Sequence, residues 1–152
     1  MIDFFISLRG RYYETLQAMG MIHILIDWVP NNYGASPMNE DIACVATGST
    51  LEEVKQNIME ALQFHVEGLM ADGASVPEEL QGTLKPIYHL STRALLKYTG
   101  GYITQKALSK ETGIVEQQLS HYANGLRHPR PAIQKKIIDG IQSICQHLTV
   151  VL

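Results

Sequence analysis

Apolar Ile22, Ile24, Ile26 and Trp28 alternate with His23, Leu25, Asp27 and Val29, a period of two that predicts a strand with one strongly apolar face. Pro30 ends it. Asn31-Asn32-Tyr33-Gly34 is turn chemistry, since asparagine and glycine tolerate positive φ, and it leads into a second strand near residues 33–38. Pro37 and the polar Asn39-Glu40-Asp41 separate this hairpin from a third run, Ile42 to Thr47, β-branched and small, before Gly48. Three antiparallel strands are expected.

The pattern then changes period. Ser49 with Glu52 and Thr50 with Glu53 form two overlapping capping boxes, which specify a helix start. Leu51, Val54, Ile58, Leu62, His65 and Leu69 recur at spacings of three and four, one apolar stripe on a helix to about Met70 that lies on the sheet. His65 belongs to that stripe and is assigned no chemistry. Asp72-Gly73-Ala74-Ser75 ends the helix, and residues 83–89 read as a fourth strand with Pro86 at an edge or a bulge.

From residue 91 onward the period is helical. Ser91 is placed to cap a first helix through Ala94, Leu95, Leu96 and Tyr98, which stops at Gly100-Gly101. Thr104 caps a second helix, and a turn at Gly113 separates it from a third, with Ala107, Leu108, Ile114 and Leu119 at the buried positions. This is helix-turn-helix spacing, with small Ser109 where the two helices cross. Asn124-Gly125 ends the third helix. Pro131 opens a fourth on which Ile133, Ile137, Ile141, Ile144 and Leu148 form an apolar stripe. The fold class expected is therefore α+β, a β-β-β-α-β antiparallel sheet domain followed by an all-α helix-turn-helix domain.

Charge divides the chain at the same place. Residues 1–90 hold four basic against twelve acidic residues, a net of −8, and residues 91–152 hold eight against three, a net of +5. An acidic module joined to a basic one points to a polyanion as the partner of the second. The 152 residues are 45% hydrophobic and 18% charged, the balance of a globular protein rather than a disordered one. No apolar run approaches the roughly 18 residues that cross a bilayer, and the N-terminus lacks signal-peptide charge order, so a cytoplasmic protein without membrane contact is expected. Cys44 and Cys145 have no metal-ligand or Cys-x-x-Cys spacing, so free thiols and no metal site are expected. Residues 1–20, with Phe4-Phe5-Ile6 and Tyr12-Tyr13, read either as a further helix or as an extension upstream of a start at Met21.

Gly34, the run from Ala46 through Thr47-Gly48-Ser49-Thr50-Leu51-Glu52-Glu53 to Val54, then Asn57-Ile58 and Glu60-Ala61-Leu62 resemble the N-terminal domain of HicB-type antitoxins over residues 21–90. The resemblance implies a partial ribonuclease-H-like fold that binds and blocks a HicA-type toxin, an mRNA-cleaving ribonuclease. Residues 91–148, through Thr104-Gln105, Gly113, Leu119-Ser120 and Asn124-Gly125, resemble the DNA-binding domains of the phage-repressor or XRE class. Val115 stands where that class has a capping Ser, Thr or Asp, and Ala123 where it commonly has Glu.

In the geometry of that class the third helix meets base edges and the second starts on phosphate. Gln105 and Lys106 fall at the phosphate end, with Gln105 donating. Gln117, Gln118, Ser120 and His121 reach base edges, glutamine suiting adenine N6 and N7. Glu116 accepts from cytosine N4 or points away, and Arg127 and Arg130 hold backbone. The combined expectation is a two-domain antitoxin, not an enzyme and without cofactor, that neutralises a HicA-type toxin and represses its own operon. Modules of this size bury marginal cores, so a homodimer or higher homo-oligomer is expected. A regulator whose N-terminal domain senses a small molecule or another protein shares these features. A nuclease would need converging carboxylates, for which Asp27, Glu40 and Asp41 are the sheet's only candidates.

Overall fold

The computed structural model describes residues 21–152, so the reading of residues 1–20 lies outside the described residues. The chain divides into two compact units, one ending at Ser91 and the other comprising Thr92–Leu152.

In the first unit β1 (Ile22–Val29) and β2 (Asn32–Pro37) form a hairpin with Val29 opposite Asn32. The two-residue connection is Pro30-Asn31, in which Pro30 fixes its own φ and Asn31 takes φ of 68°, the φ combination of a type II turn. Gly34, expected in the turn, lies within β2 with no positive φ. A Cβ there would come within 3.1 Å of Val29 Cγ1, so close cross-strand approach is what favours glycine. β3 is only Ala46–Gly48, shorter than the expected run from Ile42. The backbone N–H of Asp41 donates to Asn39 Oδ1, that of Ile42 to Asn39 O and that of Cys44 to Ile42 O. These local bonds hold residues 39–44 in turns and remove their donors from the ladder.

The 21-residue helix α1 (Leu51–Ala71) starts where the capping residues place it, with a variation. Thr50 is the N-cap and its Oγ1 accepts from Glu53 N, while the Glu53 carboxylate accepts from both the backbone N–H and the hydroxyl of Ser49. Those bonds hold the Glu53 carboxyl below its ordinary range. Leu51, Val54, Ile58 and Leu62 are buried, as are Ile22, Ile24 and Ile26 on the strand face shared with Tyr33, Ala35 and Pro37. His65 and Leu69 are only half-buried, so the stripe leaves the core after Leu62. Gly48 permits the closest approach of helix and sheet, because an added Cβ would collide with the backbone of Val54.

After a single 3₁₀ turn at Glu78–Leu80, β4 (Pro86–Leu90) completes a mixed sheet of order β3-β2-β1-β4 among the described residues. It runs parallel to β1, with Ile24 opposite Tyr88, so the all-antiparallel expectation is corrected. β3 runs in the direction of β1 and α1 carries the chain back to the starting end. A strand that follows such a crossover enters parallel. Pro86 sits at the first position of an edge strand, where its missing N–H costs no ladder bond.

The second unit has four helices: α2 (Thr92–Thr99), α3 (Gln105–Thr112), α4 (Glu116–Ala123) and α5 (Pro131–Val151). Leu96, Leu108, Ile114, Leu119, Tyr122, Ala123 and Ile137 form its core, flanked by Ile103, Ile133, Ile141 and Ile144. Ala107, expected inside, is exposed, because Leu108 and Thr112 take the inward face of α3. Leu148, expected on the packed stripe, is 58% exposed because α5 outruns the bundle. Helices α3 and α5 cross closely at Gly140, where a Cβ would collide with Thr112 Cγ2.

Candidate nucleic-acid interface and acidic groove

The connection between α3 and α4 is three residues long. Gly113 caps α3 in the left-handed region at φ 70°, and its N–H donates to Ser109 O. Buried Thr112 sets the path of the turn. Its hydroxyl donates to Leu108 O at 2.7 Å and accepts from Ile114 N at 3.2 Å, which presents Ile114 to the core. Val115 is the N-cap of α4 and offers no side-chain acceptor, so the first-turn N–H groups have no capping side chain.

The residues singled out from sequence fall into two groups by exposure. Gln105 and Lys106 occupy the exposed first turn of α3, whose N-cap Thr104 accepts from Ala107 N. Glu116 and Gln117 are exposed in the first turn of α4, and Arg127 and Arg130 are exposed beyond it. Gln118, Ser120 and His121 are half-buried. Gln118 Nε2 donates to Tyr122 Oη at 2.6 Å, leaving its carbonyl oxygen and second N–H for another partner. Ser120 Oγ accepts from Asn124 Nδ2, and Asn124 Oδ1 in turn accepts from Lys97 Nζ at 3.2 Å. Sequence reasoning misses the link of Lys97 and Asn124 to the candidate residue Ser120. Locally Asn124 signals only a helix end and Lys97 only a charge, because their meeting joins α2 to the end of α4, which no local pattern encodes. Gly125, φ 72°, turns the chain there.

The acidic unit offers a different surface. An open groove of about 500 Å³ runs between α1 and residues 80–84. Met59, Val66, Leu80 and Leu84 supply its apolar lining, and Gln56, Glu60, Gln63 and Glu67 its polar one. Gln56 Nε2 donates to Glu60 Oε1. Phe64, on the same helix, is 77% exposed.

The sheet face away from α1 carries His23 and His89. His23 Nδ1 and His89 Nε2 lie 2.8 Å apart, with rings stacked at 5.1 Å. Burial lowers the pKa of both, the Glu79 carboxylate partly opposing this at His23 and His23 itself adding to it at His89. Glu79 is buried and accepts from Asn39 Nδ2 at 2.7 Å. Asp27 accepts from the Ser91 hydroxyl and from Trp28 N. Among the described residues no three His, Cys, Asp or Glu side chains form a metal-holding group. Cys44 and Cys145 are free thiols. No described helix is long and apolar enough to cross a membrane. Comparison with protein-family models, with curated proteins and with solved structures gave no match.

Proposed function

We propose that the chain is an antitoxin of a type II toxin–antitoxin system. The unit ending at Ser91 neutralises a HicA-type mRNA-cleaving toxin, and the unit from Thr92 represses the chain's own operon. The observation that carries this reading is the pair α3 and α4, joined through left-handed Gly113 with Gln105, Lys106, Glu116 and Gln117 exposed at their N-termini. It sits in the +5 half of a chain whose other half is −8.

On DNA, the first turn of α4 enters the major groove. Gln117 reads a base edge and Gln118 a second, its amide oriented by Tyr122. Ser120 and His121 lie further along the same helix. The first turn of α3 takes a phosphate on its exposed N–H groups, helped by Gln105 and Lys106, because a helix N-terminus favours anions. Arg127 and Arg130 hold the backbone on the far side and fix register without reading sequence. Glu116 accepts from cytosine N4 or turns outward.

Neutralisation is occlusion. A ribonuclease that grips RNA phosphates presents a basic surface, and the α1 groove offers carboxylates at Glu60 and Glu67 around an apolar floor. The groove also has the volume of a small-molecule site, the feature that favours the second reading, a regulator with a sensing domain. Co-purification with the product of the neighbouring reading frame separates the two. The antitoxin reading requires a small basic ribonuclease in the complex, and a complex-free chain beside a gene for no such protein contradicts it.

A further inference from the structure

Phe64 is 77% exposed well inside α1. A single exposed apolar side chain needs no explanation, so its surroundings decide. Residues three and four apart are neighbours on a helix surface, and those of Phe64 are Glu60, Ala61, Glu67 and Gly68. At 3.6 residues per turn the two glutamates fall on one flank of the ring and the alanine and glycine on the other. Glu60 and Glu67 are exposed, and Glu60 Oε1 accepts from Gln56 Nε2, which leaves Oε2 for a partner. Lys55, the one Lys or Arg of α1, lies over the Tyr88 ring of β4 and not on this face. Gly68 has no reason in the packing of the fold. A Cβ there would meet nothing within 4 Å, and glycine inside a helix is destabilising against alanine. Helical side chains lean toward the N-terminus, so a side chain at position 68 would lie beside Phe64, and its absence keeps the ring uncovered.

We propose that Phe64 is the anchor by which the acidic unit docks a basic protein, a partner arginine lying across the ring and pairing with Glu60 and Glu67. Arginine fits because its guanidinium is planar, stacks on an aromatic face and offers N–H donors to carboxylates at the ring's edge. Charge singles out this class of occupant. Residues 1–90 carry −8, so a second copy of the unit, a nucleic acid and an anionic membrane are all repelled from the face. A small molecule finds no enclosure there, because Phe64 does not line the groove. Glu60 and Glu67 do line it, so anchor and groove form one continuous face. Docking removes the ring from water at the centre of the contact, where an aromatic side chain contributes most. The bare flank at Ala61 and Gly68 lets the partner approach the helix closely. The inference rests on the antitoxin reading only in naming the partner, since a toxin that grips RNA phosphates with arginine is such a protein.

The test is calorimetric titration of the full chain with the protein encoded beside it. Phe64→Ala should lower the affinity by more than about thirtyfold. Phe64→Leu keeps apolar area without an aromatic face and should lower it about tenfold, whereas Phe64→Tyr should stay within about threefold of the wild type. Gly68→Gln should raise the denaturation midpoint of the unit, because it removes a helix glycine, and yet weaken binding about tenfold by covering the flank of the ring. A merely structural role would not give these opposite signs. Met70→Ala, which truncates another exposed apolar residue of α1 at 65%, should bind as the wild type does. Unchanged melting curves show that the Phe64 variants are folded. Wild-type affinity in Phe64→Ala or in Gly68→Gln, or a Phe64→Leu chain that binds as well as Phe64→Tyr, would overturn the anchor and leave the antitoxin reading standing. A neighbour that does not bind the wild-type chain would overturn that reading and the anchor with it.

Discussion

Gln117 and Gln118 are neighbours in sequence but not in freedom. Gln117 is exposed, whereas Gln118 is tied to Tyr122 Oη, so Gln117→Ala would remove the proposed base contact and leave the core intact. It is expected to cost on the order of 1 to 3 kcal/mol on the operator and to relax preference at one base position. Arg127→Ala or Arg130→Ala should instead weaken all sequences alike and lower the salt slope by about one. Titration of each variant against operator and scrambled duplexes at several salt concentrations checks the separation. A Gln117→Ala variant with full operator preference would remove α4 from the role given to it. The histidine pair makes a second residue-scale prediction. Folding lowers both pKa values, so around the ordinary histidine value of about 6.5 the unfolded chain binds more protons than the folded one. The stability contributed by the neutral pair is therefore complete above about pH 6.5 and declines as pH falls toward the lowered folded values. Trp28, the single tryptophan, packs edge-on against Tyr33 at 4.9 Å and reports this unit alone. Its denaturation midpoint should fall between about pH 7.5 and about pH 5, and His89→Gln should flatten the dependence. A midpoint that rises on acidification would contradict this account of the pair.

At the scale of elements, two glycines hold helices against their supports. Gly48→Ala would drive a Cβ into the backbone of Val54, which cannot yield as a flexible side chain can. Overpacking of this kind costs on the order of 1 to 3 kcal/mol, and chemical denaturation followed by Trp28 fluorescence should show the loss. An unchanged midpoint would mean that α1 does not depend on this contact. Removing the cap with Thr50→Ala should cost about 1 kcal/mol. The same elements mark how far the sequence could be read. The period-two run from Ile22, the capped start at Thr50 and the helices beginning after Thr104 and Val115 are local signals, and they stand where the pattern placed them. What escaped was relational. The parallel entry of β4 depends on where α1 returns the chain, and the short β3 on Asn39 capturing Asp41 and Ile42. The crossing at Gly140 and the link from Lys97 through Asn124 to Ser120 join residues far apart in sequence. Of the candidate site, the residue types and their helices were legible, but the tying of Gln118 to Tyr122 was not.

At the scale of the whole molecule, opposite charges on two units imply separable tasks. A chain ending at Ser91 keeps the acidic unit as a compact body and loses every residue of the proposed DNA interface. It is expected to bind no operator yet to rescue growth against the toxin, and growth assays beside gel shifts check both halves of the statement. A folded truncation that fails to rescue growth would show that neutralisation needs the second unit. The operator itself should be an inverted repeat whose half-sites lie about one helical turn apart, roughly 34 Å, or a multiple of it.

The most direct measurement of the central claim is co-expression of the full chain with the protein encoded beside it, followed by isolation of the complex and an RNA-cleavage assay on the partner alone and in complex. The expected result is a stable complex in which a small basic ribonuclease, active by itself, is silent, and in which Glu60→Lys with Glu67→Lys restores cleavage. A neighbour that neither binds the chain nor cleaves RNA, or whose cleavage continues undiminished in the complex, would contradict it.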